Sequence, residues 1–348
     1  MEFGSPVGLK LADSAAEHPG EGTVKVRVAI TAVNHIDRLV IGGRFKWVPL
    51  PRIPGSEYVG TVEEIGSGVK GIFPGDRVAV FPKMFCGNCR YCLADQESVC
   101  LSGWNPDHAP VDLSTNMLPL SMNGGWAEET LIPARNVVTL PDDLSFDSAF
   151  AVPLSGMTAW HMVERARPNS GENAVVMGST GGIGLFAIQI LKLGGCNVMA
   201  VVNDSARVYE LQKLGADAVC ITSEDNFADC VRDFAGKIGP DIVIDFLGQS
   251  TFQQSFSILA PGGRYATCGT MTGPGSEISL LRLYSRQIEL VGSTTGSIRD
   301  LRAALQASSE GKIKTVVDSE FAFDCMPQAL DRHSKRGKFG KVKVVVSR

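Results

Sequence analysis

Six short apolar runs, each followed by a helical pattern, fill the middle of the chain. They cover residues 174–177, 198–202, 219–222, 241–247, 264–268 and 288–292. Strands that read as continuous apolar runs are buried on both faces, and strands separated by helices pair in parallel. The gaps between the runs are long enough for the crossover segments that parallel pairing requires. Residues 141–292 are therefore expected to form an α/β, doubly wound parallel sheet.

The first run leads into Val175-Val176-Met177-Gly178-Ser179-Thr180-Gly181-Gly182-Ile183-Gly184. The segment after it places Ile183, Phe186, Ala187, Ile190 and Leu191 on one helical face. A strand, a glycine turn and a helix in that order suit a pyrophosphate. Glycines let the backbone turn tightly and approach the anion, and the helix N-terminus offers free N–H groups and a positive dipole end. The spacing, G-x-x-G-G-x-G, departs from G-x-G-x-x-G, and alone such a turn also serves close packing. Inside six alternating strands it points to a dinucleotide held by Gly178, Ser179, Thr180, Gly181, Gly182 and Ile183. An NAD site places an acid at the end of the second strand, to bond the ribose 2′-hydroxyl. Here that position reads as Val202, followed by Asn203, Asp204, Ser205 and Arg207. Asn203, Ser205 and Arg207 suit a 2′-phosphate, whereas Asp204 opposes one. The reading favours NADP(H), with NAD(H) as the alternative.

The flanks differ in character. Up to about residue 140 the chain is rich in Gly, Pro and short alternating runs. Residues 24–28, 58–65 and 77–81 read as half-buried strands separated by turns such as Pro74-Gly75-Asp76. From about 293 one helix, 298–310, precedes a closing strand at 341–346. These flanks are expected to join into one β-rich domain, 1–140 and 293–348, interrupted by the α/β domain at 141–292. With 44% hydrophobic and 20% charged residues the composition is that of an ordinary globular chain. A net charge of −4 gives no basic field for nucleic acid. No apolar run is long enough to span a membrane. The start, MEFGSPVGLK, has no secretory pattern, and its first five residues read as a cloning remnant or a trimmed native start. A cytoplasmic location is expected.

Four of nine cysteines cluster as Cys86-x2-Cys89-x2-Cys92-x7-Cys100; the other five are scattered. Four thiolates close a tetrahedral zinc site with no open position, which is the structural design. Two disulfides or an iron–sulfur cluster are the alternatives. A reducing compartment opposes the first, and the second lacks the ferredoxin Cys-Pro ending.

This order of features resembles the medium-chain dehydrogenase/reductase superfamily over essentially the whole chain. The stretches that carry the likeness include Asn34-His35-Ile36-Asp37, Ile53-Pro54-Gly55-Ser56-Glu57, Pro74-Gly75-Asp76-Arg77-Val78, Gly124-Gly125-Trp126-Ala127-Glu128, Leu214-Gly215-Ala216-Asp217 and Phe339-Gly340-Lys341, besides the cysteine lobe and the glycine turn. The resemblance implies a GroES-like β-rich catalytic domain and a Rossmann domain. In the zinc alcohol dehydrogenases of the family a second, catalytic zinc is held where this chain has Asn34, Ser56 and Leu154. None of the three is a good zinc ligand, and leucine cannot coordinate at all. A substitute site built from His35, Asp37, Glu57 or His161 is the weaker alternative. The zinc-free branch, which includes quinone oxidoreductases and archaeal acryloyl-CoA reductases, is therefore the better match.

That likeness implies an NADPH-dependent reductase acting on an activated C=C bond, best an enoyl-thioester such as acryloyl-CoA. A quinone or alkenal reductase, a zinc-type alcohol dehydrogenase and a non-catalytic nucleotide-binding protein remain as rivals. Asn34 and Asp37 are placed at the reaction, with Thr158 beside the carboxamide. Leu247, Gly269, Thr270, Ser293 and Thr294 are expected around the nicotinamide half, with Lys341 at the cofactor or a substrate phosphate. His35 is read as a phosphate or substrate neighbour. Arg38, Arg44 and Lys46 are read as coenzyme A contacts or a solvated face. A homodimer or homotetramer is implied, with residues 278–290 as the pairing region.

Overall fold

The structure, a computed structural model, describes residues 9–14, 17–100 and 116–347. The expectation for the first five residues lies outside them. The strands are β1 (Thr23–Ala32), β2 (Tyr58–Ile65), β3 (Arg77–Val80), β4 (Glu129–Pro133), β5 (Val137–Thr139), β6 (Asn173–Val176), β7 (Asn197–Val202), β8 (Ala218–Ile221), β9 (Ile242–Asp245), β10 (Arg264–Thr267), β11 (Glu289–Gly292), β12 (Val317–Ala322) and β13 (Lys341–Val345). The helices are α1 (His35–Ile41), α2 (Phe146–Ala149), α3 (Met157–Ala166), α4 (Gly182–Leu193), α5 (Val208–Lys213), α6 (Phe227–Ala235), α7 (Gln249–Ile258), α8 (Leu280–Ser285), α9 (Ile298–Ser309) and α10 (Met326–Ser334). They fall into two compact units. One holds Met1–Leu154, Ser297–Gly311 and Thr315–Arg348; the other holds Ser155–Gly296 and Lys312–Lys314.

The first unit is built on a seven-stranded sheet with the path β12-β13-β1-β2-β3-β5, and β4 pairs with β1. β1 is its hub, with Val26 opposite Val62 on β2, Val24 opposite Ile132 on β4 and Ile30 opposite Val345 on β13. Val24, Val26, Val28, Tyr58, Val62 and Ile132 bury together on one side. Val33, Ile41, Trp126, Val342 and Val344 form a second cluster with α10. The pairing of β1 with β13 is how the C-terminal strand rejoins the first domain.

The second unit carries a six-stranded, wholly parallel sheet in the order β11-β10-β9-β6-β7-β8. Counted from β6, this is the doubly wound order 6-5-4-1-2-3. Its strand order reverses between β6 and β9, and the crevice beyond the carboxyl ends of those strands is where ligands bind in such sheets. Val175, Met199, Val201, Val243, Phe256 and Tyr265 pack one face. The α/β architecture and all six parallel strands agree with the expectation from sequence, to within a residue or two at the ends.

Candidate functional site

In the first unit the residues at the family's catalytic-metal positions are brought together by two local devices. Asn34 ends β1's exit and caps α1, and Asp37 accepts its N–H at 2.9 Å, which fixes the start of the helix. Gly55 takes φ +108°, and a Cβ there would lie 2.5 Å from the Trp126 side chain and backbone, so only glycine lets Ser56 and Glu57 enter beneath the sheet. Asp37 is fully buried and accepts four hydrogen bonds. Its Oδ1 takes the Gly55 and Ser56 amides at 3.1 and 2.9 Å, and its Oδ2 takes the Asn34 amide and the Ser56 hydroxyl at 3.1 Å. Burial pushes its carboxyl up to about 7, and those donors, with Lys341, pull against that rise. Asp37 was expected to be catalytic; its oxygens are instead spent on bracing the chain.

Asn34, Glu57 and Lys341 form a second network. Lys341 Nζ donates to Glu57 Oε2 at 2.7 Å and to Asn34 Oδ1 at 2.5 Å. Asn34 Nδ2 donates to the same Glu57 oxygen at 3.1 Å, and the Leu154 amide donates to Oε1 at 2.8 Å. The ion pair is nearly dry, with side-chain exposures of 6% and 0%. This donor set does not fit a second zinc ion. An ammonium already bonds the two oxygens that face the position, Ser56 Oγ is engaged by Asp37, and Leu154 contributes only a backbone amide. Among the described residues, Cys, His, Asp and Glu atoms converge as candidate cages in two places, and neither includes Asp37, Glu57, His35 or His161.

Around this network lies a cationic field. Burial, Arg38 and Lys338 lower the pKa of His35. Burial, with Lys338, Lys341, Arg38 and His35, takes His333 down to about 2. Burial, then Lys341 and Arg38, takes Lys338 to about 8. Such a field favours an anion. Arg38, Arg44 and Lys46 are exposed. Tyr58 is fully buried with its hydroxyl on Thr130 at 3.1 Å, and Tyr91 sits on the cysteine lobe against Arg90.

In the second unit the glycine turn lies at the end of β6, on the reversal point of the sheet. Gly178 takes φ +69°, and a Cβ on Gly184 would meet the Gly178 carbonyl at 2.8 Å and Ser179 Cα at 2.9 Å. The turn is thus closed on itself, and α4 opens from Gly181 with no side chain capping its first amides. An anion is the natural partner for them. Gly181, Gly182, Ile183 and Thr180 lie half-exposed at this turn. Ser179, expected among the phosphate contacts, is spent elsewhere. Its Oγ donates to Val176 O and accepts from Val201 N, and its amide donates to Val201 O, so it staples β6 to β7. Leu247 stacks over Gly178, and Gly269 lies against the Phe246 carbonyl, where a Cβ would be 2.3 Å away. Thr270 is exposed.

The hydroxyls of Thr158, Ser293 and Thr295 are buried and have no hydrogen-bond partner among the described residues. Buried hydroxyls are normally satisfied, so three orphans in one unit fit a polar ligand such as a nicotinamide dinucleotide. Thr295 also takes φ +47°, a left-handed conformation that a β-branched residue rarely adopts. Sequence reading named Ser293 and Thr294 but not Thr295, because backbone strain leaves no mark in residue order. At the end of β7, Val202 is buried at the position of the ribose acid. Arg207 pairs with Glu210 at 2.8 Å, Ser205 donates to Glu224 at 3.3 Å, Thr222 donates to Asn203 at 3.2 Å, and Asp204 caps the Ala206 amide at 3.1 Å.

The cysteine lobe is a near-tetrahedron of sulfurs. The Cys86–Cys92, Cys89–Cys92, Cys89–Cys100 and Cys86–Cys100 Sγ separations are 3.9, 3.5, 3.9 and 3.6 Å. A Zn–S bond of about 2.3 Å places tetrahedral sulfurs about 3.8 Å apart, so the four fit one zinc ion with every position filled. The Cys86 and Cys89 amides donate to cysteine sulfurs at 3.2 and 3.3 Å, which stabilises thiolate charge.

Comparison with known proteins agrees with this geometry. Residues 20–142 match the alcohol dehydrogenase GroES-like domain, and residues 182–310 match the zinc-binding dehydrogenase family. An alcohol dehydrogenase of Geobacillus stearothermophilus is 31% identical over 91% of this chain and 90% of its own. An acryloyl-coenzyme A reductase of Metallosphaera sedula is 27% identical over 97% of each. The solved structure of a cobalt- and zinc-bound thermostable alcohol dehydrogenase from Pyrobaculum aerophilum superposes with TM-score 0.87 at 33% identity, covering 99% of this chain and 97% of that one. The chain belongs to the medium-chain dehydrogenase/reductase superfamily, of the zinc-type alcohol dehydrogenase kind, and is an oxidoreductase. No described helix is long and apolar enough to cross a membrane.

Proposed function

We propose that this protein is an NADPH-dependent reductase of activated C=C bonds, acting on an enoyl-thioester such as acryloyl-CoA, with one structural zinc in the cysteine lobe and none at the reaction. The observation that carries the reading is the Lys341–Glu57–Asn34 network, which offers an ammonium and amide donors where alcohol dehydrogenation needs a Lewis acid. An enolate needs less stabilisation than an alkoxide, and fixed hydrogen-bond donors suffice for it.

When bound, a reduced nicotinamide would supply a hydride to the β-carbon of the substrate, leaving an enolate for the protein to stabilise. The chain's own groups do the rest. The first amides of α4 hold the pyrophosphate, and Thr158, Ser293 and Thr295 offer the hydroxyls that orient the nicotinamide half. Lys341 bonds Asn34 Oδ1 and Glu57 takes one Nδ2 proton, so the carboxamide cannot flip. Its second Nδ2 proton donates to the thioester oxygen as charge develops there. Water delivers the proton to the α-carbon.

The preference for NADPH is supported by Val202 in place of an acid and by Arg207 one turn further on. An exposed pair such as Arg207–Glu210 contributes at most about 1 kcal/mol, whereas a charge-assisted bond to phosphate contributes roughly 1.5–3 kcal/mol, so a 2′-phosphate displaces Glu210. The cationic field of Arg38, Lys338 and Lys341, which holds His35 and His333 neutral, suits the phosphates of a coenzyme A substrate. Leu280, Leu281 and Tyr284 are 70%, 65% and 70% exposed beside β11, an edge strand of the sheet, and this edge is proposed to pair two copies into a dimer. The test is NADPH oxidation against a panel of enoyl-CoAs, quinones and aldehydes, with zinc counted on the same sample. Turnover of enoyl-CoA at one zinc per chain supports the reading. Turnover of aldehydes alone, dependent on a second zinc, refutes it.

A further inference from the structure

At the β8 edge of the six-stranded sheet, two strands from the glycine turn, three ligating side chains converge outside any role described so far. Cys220 lies on β8, Asp225 in the turn after it and Cys230 on α6, a C-x4-D-x4-C spacing. Their Sγ and carboxylate oxygen atoms lie within 4.8 Å of one another. The turn is built to hold them there. Asp225 donates its amide to Ile221 O at 2.7 Å and accepts the Ile221 amide on Oδ2 at 2.8 Å. Asn226 caps α6 through the Ala228 and Asp229 amides, and the Cys230 amide bonds Asn226 O at 3.0 Å. Cys220 is fully buried, Cys230 half-buried and Asp225 exposed, so the cluster opens to solvent on its carboxylate side.

We propose that Cys220, Asp225 and Cys230 form a second metal site, for a thiophilic d10 cation such as Zn²⁺ or Cd²⁺. Two sulfurs and one oxygen make the soft, low-coordinate donor set such ions select, with a fourth position left for water. Closing the cluster to tetrahedral spacing, about 3.8 Å between sulfurs, needs movements of no more than about 1 Å. Asp225 keeps one oxygen on the Ile221 amide, which orients the other. The site is therefore expected to take one added equivalent of thiophilic metal beyond the lobe's single zinc, away from the reacting groups.

The test adds cadmium chloride to protein whose lobe already carries zinc, then desalts it and counts both metals. The expected result is about one cadmium gained per chain with no zinc lost, together with a thiolate-to-cadmium charge-transfer band in the ultraviolet. Cys230→Ser removes that equivalent, Asp225→Asn weakens it by at least the roughly 10-fold that loss of an outer-shell partner costs, and both variants keep their zinc and their turnover. The proposal is overturned by no cadmium gain, by gain matched to zinc loss, by equal gain in Cys230→Ser, or by a Cys220–Cys230 disulfide in the purified protein.

Discussion

Replacing Lys341 by methionine removes the cation from a nearly dry pair and leaves the Glu57 carboxylate buried. Stranding one partner of a buried pair costs about 3–5 kcal/mol. Glu57 would keep the Asn34 carboxamide and the Leu154 amide as donors, so the lower end, about 3 kcal/mol, is expected. Glu57→Gln should cost a similar amount, because it strands the ammonium instead. The double variant should fall short of the sum by about 2 kcal/mol, as groups in contact do. The assay is urea unfolding followed by hydrogen exchange at the amides of β1 and β13, the strands that carry this network. Additivity within about 0.5 kcal/mol would show that the two charges do not meet, and the account of the site would fail with it.

Three further outcomes are expected. Chelating the lobe zinc, or Cys89→Ser, should lower the melting temperature, with exchange protection lost first at Cys86–Cys100, because the ion replaces a core that the lobe lacks; unchanged protection there would argue against a structural metal. Arg207→Ala should raise KM for NADPH about 10-fold, some 1.4 kcal/mol, and leave NADH nearly unaffected; equal effects on both cofactors would remove Arg207 from 2′-phosphate recognition. His333 is held below its ordinary pKa by burial and by its cationic neighbours, so the fold favours its neutral form. That stability is present above about pH 6.5 and is lost as pH falls below it, by about 2 kcal/mol at pH 5. His333→Gln should lose less stability than the parent between pH 7 and pH 5 in urea unfolding, and an identical loss would count against the assignment.

Much of this architecture was legible because its signals are local. Six apolar runs with helical spacers specify a parallel sheet, and the four-cysteine spacing specifies a cage, without knowledge of distant contacts. The strand ends moved by a residue or two: the run 241–247 shortened to β9, whose exit is turned by Asp245 accepting the Leu247 and Gly248 amides. What order alone did not reveal depends on long-range pairing. Lys341 meets Glu57 and Asn34 only because β13 folds back onto β1, and nothing in Phe339-Gly340-Lys341 specifies that partner. Ser179 looked like a phosphate ligand from its place in the glycine turn, but its hydroxyl closes the gap between β6 and β7. The family likeness of Asn34-His35-Ile36-Asp37 places Asp37 at the reaction, yet four donors hold it as a brace.

The central claim is that reduction here proceeds without a metal at the substrate. Zinc K-edge absorption on protein dialysed until one zinc remains per chain, with enoyl-CoA turnover measured on the same sample, tests it most directly. The account predicts zinc bound by four sulfurs at about 2.3 Å and undiminished turnover with NADPH. Zinc in a shell of nitrogen and oxygen ligands, or turnover that vanishes with the metal removed by dialysis, would contradict it.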